Sequence, residues 1–99
     1  MAVSGLLTLL TNVAIAYFNL GNAYRKKGDV ANAISNYKRA ILIKPDFARA
    51  HGLLGFMLVM KRDYVSALES LNRALKLDPE LKFARKIKTR LIRELGQEA

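Results

Sequence analysis

The sequence predicts an all-α domain built as a stack of helical hairpins. Three features of the chain carry this prediction. Residues 14–47 align without a gap on residues 48–81, a period of 34, with about ten positions identical. Within each unit, apolar or small side chains recur at helical spacing: Tyr17, Leu20, Gly21 and Tyr24, then Ala33, Tyr37, Ala40 and Ile41. Each unit is punctuated midway by an aspartate (Asp29, Asp63) and ends near a proline, Pro45 or Pro79. One hairpin cannot bury its apolar stripe alone, so such units must stack.

The first element is the apolar segment 1–13. No charged side chain occurs before Arg25. A secretion signal is not expected, because no basic side chain precedes the apolar run. A membrane span over residues 1–18 is nearly long enough. It is disfavoured because Ser4, Thr8, Thr11 and Asn12 interrupt it, and because it would consume half of the next helix. The 34-residue register instead sets Leu7 against Ile41, Leu9 against Ile43 and Val13 against Phe47. Residues 3–10 are therefore expected to be a remnant of the second helix of an earlier unit. Its exposed leucines would meet a partner or a copy of the same chain.

The first repeat occupies residues 14–47. Gly28 can take the left-handed conformation that ends a helix, and Asp29 can accept backbone N–H bonds at the start of the next. Small residues (Gly21, Ala33, Ala40) let the two helices approach, while Leu20, Tyr24 and Tyr37 fill the space between them. The second repeat occupies residues 48–81 and keeps the cap as Asp63. Arg62 replaces the glycine, so this turn is expected to be built differently or to carry mild strain. Residues 82–99 continue the register as a capping helix. Ala84, Leu91 and Ile92 fall on packing positions, but Lys88 and Thr89 stand where the repeats have Leu-Gly. A helix that packs on one side and offers charge on the other suits a solenoid end.

At 99 residues the chain is one domain, with 52% hydrophobic residues and a net charge of +9. Lys82, Arg85, Lys86, Lys88, Arg90 and Arg93 cluster in the cap without an acid among them. Charge of this sign favours an acidic protein, anionic lipid or nucleic acid. There is no cysteine, which agrees with a reducing compartment, and a cytoplasmic location is expected. No catalytic constellation is present. His51, the single histidine, sits at a helix packing position, and one histidine without cysteine cannot make an ordinary zinc site. Asp29, Asp63, Asp78 and Glu80 lie near helix ends, where capping accounts for them. No enzyme activity, cofactor or metal is expected.

The phased residues resemble the tetratricopeptide repeat (TPR) family. They are Tyr17, Leu20, Gly21, Tyr24, Ala33, Tyr37, Ala40 and Pro45, then His51, Leu54, Gly55, Leu58, Ala67, Leu71, Ala74 and Pro79. The second unit departs from the family pattern with His51 at an aromatic position, and with Leu58 and Leu71 where large aromatics are common. The resemblance implies a right-handed α-solenoid of two repeats plus the cap. It implies an adaptor or assembly scaffold that binds a peptide or helix of another protein in a concave groove.

On that resemblance the groove residues are Ile15, Phe18, Asn19, Asn22, Arg25, Lys26, Arg49, Leu53, Phe56, Val59, Met60, Phe83, Lys86, Ile87, Arg90 and Arg93. The carboxylate clamp of the family's co-chaperones is not expected. Only Asn22 matches it, with Phe18, Leu53, Phe83 and Ile87 at its other polar positions. The expected ligand is an amphipathic or extended segment with acidic flanks. Phe18, Phe56, Met60 and Phe83 would be its anchors, and Arg25, Lys26, Arg90 and Arg93 would steer it. Self-association through residues 1–13 or the groove is a further expectation. The rival reading is association with nucleic acid or an anionic membrane through the cationic cap. Few aromatics are interleaved there to stack on bases, so nucleic acid is not the expected partner, and a membrane is not expected either.

Overall fold

A computed structural model describes residues 2–98, and the side chains of residues 3–96. Five helices follow in order: α1 (Ala2–Lys26), α2 (Val30–Ile43), α3 (Ala48–Met60), α4 (Tyr64–Leu77) and α5 (Lys82–Glu98). Each helix packs on the next, and α3 also meets α5. The result is a TPR-type right-handed solenoid of two hairpins and a fifth helix.

The close approach within each hairpin depends on one glycine. A Cβ on Gly21 would stand 2.7 Å from the ring of Tyr37. Gly55, its counterpart, would place one 2.8 Å from Leu71 Cγ. Tyr37 and Leu71 are the largest fully buried side chains, so each hairpin closes a glycine over its bulkiest core residue. The Tyr37 hydroxyl is satisfied at depth. It donates to Asn22 Oδ1 and accepts from Arg25 Nε at 3.2 Å. Burial pushes the Tyr37 phenol above its ordinary pKa, and the Arg25 bond pulls it back in part.

The two intra-repeat turns have the same backbone. Asp29 N–H bonds the Tyr24 carbonyl and Asp63 N–H bonds the Leu58 carbonyl, both at 2.9 Å. Gly28 has φ 81° and Arg62 has φ 68°. Arg62 therefore adopts the glycine geometry, and the turn holds a left-handed L-residue. Each aspartate then caps its helix, accepting from Asn32 N–H (3.2 Å) and Ser66 N–H (3.3 Å). Between repeats, His51 Nε2 lies 2.8 Å from the Pro45 carbonyl, and the Arg85 guanidinium donates to the Pro79 carbonyl. His51 and Arg85 are one period apart, as are the prolines. The two side chains thus satisfy the same orphan acceptor, and His51 carries its proton on Nε2.

Two expectations are corrected. Residues 3–10 are not a separate helix: α1 runs unbroken for 25 residues. In register, Thr11 stands where Pro45 breaks the chain between α2 and α3. With a backbone N–H and a helical φ available, nothing stops the helix. At about 1.5 Å per residue α1 is about 37 Å long, and its first half overhangs the 14-residue α2. The molecule is elongated accordingly, 55 × 28 × 18 Å. Ile92 is half exposed rather than packed, whereas Ala84 and Leu91 are buried. Ile92 corresponds to the buried Leu58 of α3, a helix packed on both α2 and α4, and no described helix follows α5.

Candidate functional site

The odd-numbered helices form one layer of the stack, and their two junctions differ. At the α1–α3 junction the ring of Phe18 lies 4.7 Å from that of Phe47, with the Arg49 guanidinium 5.4 Å from its centroid. One period on, Phe18 becomes Gly52 and Arg49 becomes Phe83. There the ring comes from the opposite helix: a Cβ on Gly52 would meet Phe83 Cζ at 2.7 Å. The α1–α3 junction is filled by Phe18 of α1 together with Phe47, and the α3–α5 junction by Phe83 of α5, so the helix-borne ring comes from alternate sides.

This arrangement sorts the expected groove residues. Phe18 is 4% exposed and belongs to the core, so it is not a ligand anchor. It also lies 5.8 Å from Tyr37, within the hairpin's own aromatic cluster. Asn22 and Arg25 are half-buried and already engaged with the Tyr37 hydroxyl, which ties their polar heads to the fold. Ile15, Asn19 and Lys26 are exposed on α1, and Leu53 is half-buried on α3. Arg49 and Phe83 are used at the junctions. None of these nine lines the furrow between α3 and α5 or the cationic hollow along α5.

Five of the expected residues do come together, Val59 among them. Phe56 and Met60 of α3 face Ile87 and Arg90 of α5 across a furrow of about 300 Å³, with Val59, Leu91 and Glu94 completing its walls. Its floor is apolar. Met60 is 59% exposed at the rim. Arg90 is not a free cation, because its Nε donates to Glu94 at 3.0 Å. Exposed pairs of this i,i+4 kind contribute about 0.3–0.5 kcal/mol, so a ligand carboxylate can compete for the guanidinium. Glu94 was not anticipated from the sequence, although its place one turn after Arg90 is a readable signal.

Lys86 and Arg93 lie outside this furrow. They line, with Lys82, Arg85, Thr89, Arg90 and Glu94, a cationic hollow of about 880 Å³. All seven belong to α5, so the hollow has no opposite wall. It is an open charged flank, whereas the furrow is a cleft between two helices.

The matches to known proteins agree with this architecture. A family model described as TPR repeat matches residues 21–61, and one described as tetratricopeptide repeat matches residues 48–81. No curated protein matches the chain. Among solved structures, the TPR2B domain of yeast Sti1 in complex with pHsp70 is similar in fold. Its TM-score is 0.81 at 24% identity, over 85% of this chain and 67% of that one. With two repeat models spanning residues 21–81 and five helices stacked as hairpins, the chain belongs to the tetratricopeptide repeat family of protein–protein interaction modules.

Proposed function

We propose that the protein is a non-catalytic adaptor that holds an amphipathic segment of another protein in the furrow between α3 and α5. The carrying observation is the furrow itself: an apolar floor of Phe56, Val59, Ile87 and Leu91, open at Met60 and edged by Arg90. Apolar anchors of the ligand would enter beside Met60, and acidic flanks would meet Arg90 and the cations along α5. The yeast Sti1 domain was solved with pHsp70, which supports a segment of another protein as the class of ligand. Leu53, Phe83 and Ile87 occupy the positions where a carboxylate clamp needs polar groups, which supports apolar anchoring instead.

Fluorescence anisotropy with a labelled amphipathic peptide bearing acidic flanks tests this. Binding is expected to weaken at least tenfold in Met60→Glu, and to survive in a control such as Val65→Glu on α4, where Val65 is 74% exposed. Equal binding by Met60→Glu and the native chain would overturn the furrow. A specific observation favours one rival: five cations stand along a single flank of α5. A labelled oligonucleotide bound near physiological salt, and lost as salt rises, would favour that reading.

A further inference from the structure

We propose that α1 is the surface through which two copies of this chain pair, side by side and antiparallel. Val3, Leu6, Leu10, Val13, Tyr17 and Leu20 follow one another in alternating steps of three and four, and Tyr24 continues the series. That is the spacing by which one helix meets another along a coiled coil. The seam is open. Val3 is 70% exposed, Leu6 55%, Leu10 41%, Val13 37% and Leu20 44%, with Tyr17 and Tyr24 half-buried. It lies beside the stripe of Ala14, Phe18 and Gly21 that α1 buries, so α1 can use both at once.

The fold shows what covers such a face. Leu54 and Leu58 of α3 are the counterparts of Leu20 and Tyr24, and they are 7% and 5% exposed. The helix packed on α3 from the preceding hairpin is α2, which the turn at 44–47 makes run the other way. The natural occupant is therefore an antiparallel helix. Among the described residues none stands against α1 in that place, and a second α1 fits it.

Charge selects the direction. α1 has no acid in its first turn, and its only cations, Arg25 and Lys26, end it. Parallel pairing would crowd these cations from both copies, whereas antiparallel pairing sends them to opposite ends. Pairing centred between Thr11 and Asn12 sets Val3 against the partner's Leu20, Leu6 against the partner's Tyr17 and Leu10 against the partner's Val13. The overhanging half of each α1 then covers the open end of the other copy's first repeat.

A bilayer is the competing cover, because Val3–Lys26 is long and apolar enough to cross one. Yet Ala14, Phe18 and Gly21 are held against α2, which leaves residues 3–13 free. At 1.5 Å per residue these span about 16 Å, roughly half of a hydrocarbon core of about 30 Å. The furrow lies on α3 and α5, so this pairing neither requires nor blocks it.

Sedimentation equilibrium of the full chain in detergent-free buffer, beside Leu10→Glu, tests the pairing. The native chain is expected to be a reversible dimer. Leu10→Glu should raise the dissociation constant more than tenfold with unchanged helical circular dichroism, since Leu10 is exposed and outside both hairpins. The chain has no cysteine, so direction can be read with added ones. A mixture of Val3→Cys and Leu20→Cys chains is expected to cross-link to each other on oxidation. A preference for disulfides between two Val3→Cys chains would overturn the antiparallel arrangement. A native chain that stays monomeric, a mass that grows beyond two copies, or a dimer indifferent to Leu10→Glu would overturn the pairing. Flotation of a monomeric native chain with phosphatidylcholine vesicles would also overturn it and assign the face to lipid.

Discussion

Leu20 and Leu54 occupy the same position in successive repeats and live in different surroundings, 44% exposed against 7%. The repeat pattern sets which face of a helix is apolar. The neighbour sets whether that face is buried. α3 packs on α2, α4 and α5 and seals Leu54 and Leu58, whereas α1 has no described helix on its other side and leaves a seam open. The same lesson holds at the other end. Ile92, the counterpart of Leu58, is half exposed because nothing described packs beyond α5. Identical residues at identical positions thus differ in energetic weight by their place in the stack.

The largest test of this comparison is a matched pair of truncations. Leu54→Ala is expected to cost about 2–5 kcal/mol, the range for a buried leucine. Leu20→Ala should cost about 1 kcal/mol in dilute protein, because the side chain is only half removed from water. Urea denaturation at low and high protein concentration checks both. If the cost at Leu20 rises with concentration while that at Leu54 does not, a second copy is covering the open face.

A smaller effect compares the two turns. Gly28 takes its left-handed φ freely, and Arg62 does not. Arg62→Gly should stabilise the chain by about 0.5–1 kcal/mol. The left-handed strain of an L-residue, about 1–2 kcal/mol, is relieved, and part of the gain is lost to glycine's extra freedom in the unfolded chain. A raised urea midpoint with unchanged slope is the expected readout, and an unchanged or lowered midpoint would mean that the turn carries no such strain.

The smallest concerns the Asp29 cap. Its side-chain bond from Asn32, then the backbone bond from Asn32 and the nearby Lys27, hold the carboxyl below its ordinary value of 3.8. A depressed folded pKa means stability that is present above that value and lost as pH falls through the folded one. Thermal midpoints should therefore fall less steeply below pH 4 in Asp29→Asn, which keeps the cap and removes the titration. Parallel acid profiles for the two chains would show the carboxylate to be energetically neutral.

Much of the fold was legible because it is local and repeated. Asp29 and Asp63 mark helix starts, Pro45 and Pro79 mark the breaks between hairpins, and small residues mark the close contacts. The groove was less legible. Register alone assigns equivalent positions to one face, but Phe18 fills its junction with its own ring while its buried counterpart Gly52 is covered by Phe83, so equivalence failed where the ring comes from the opposite helix. Asn22 and Arg25 show another influence that register does not carry: the buried Tyr37 hydroxyl engages both. The unbroken α1 was missed because the register was extended past the point where its turn residues stop.

By itself the sequence determined the period, the helices, their caps and the sign of the charge, because these depend on residues within a turn or two of each other. Only the tertiary structure decided which apolar side chains are core, furrow or open seam. Burial is set by the helix that stands opposite, and that helix is far away in the chain or belongs to another molecule.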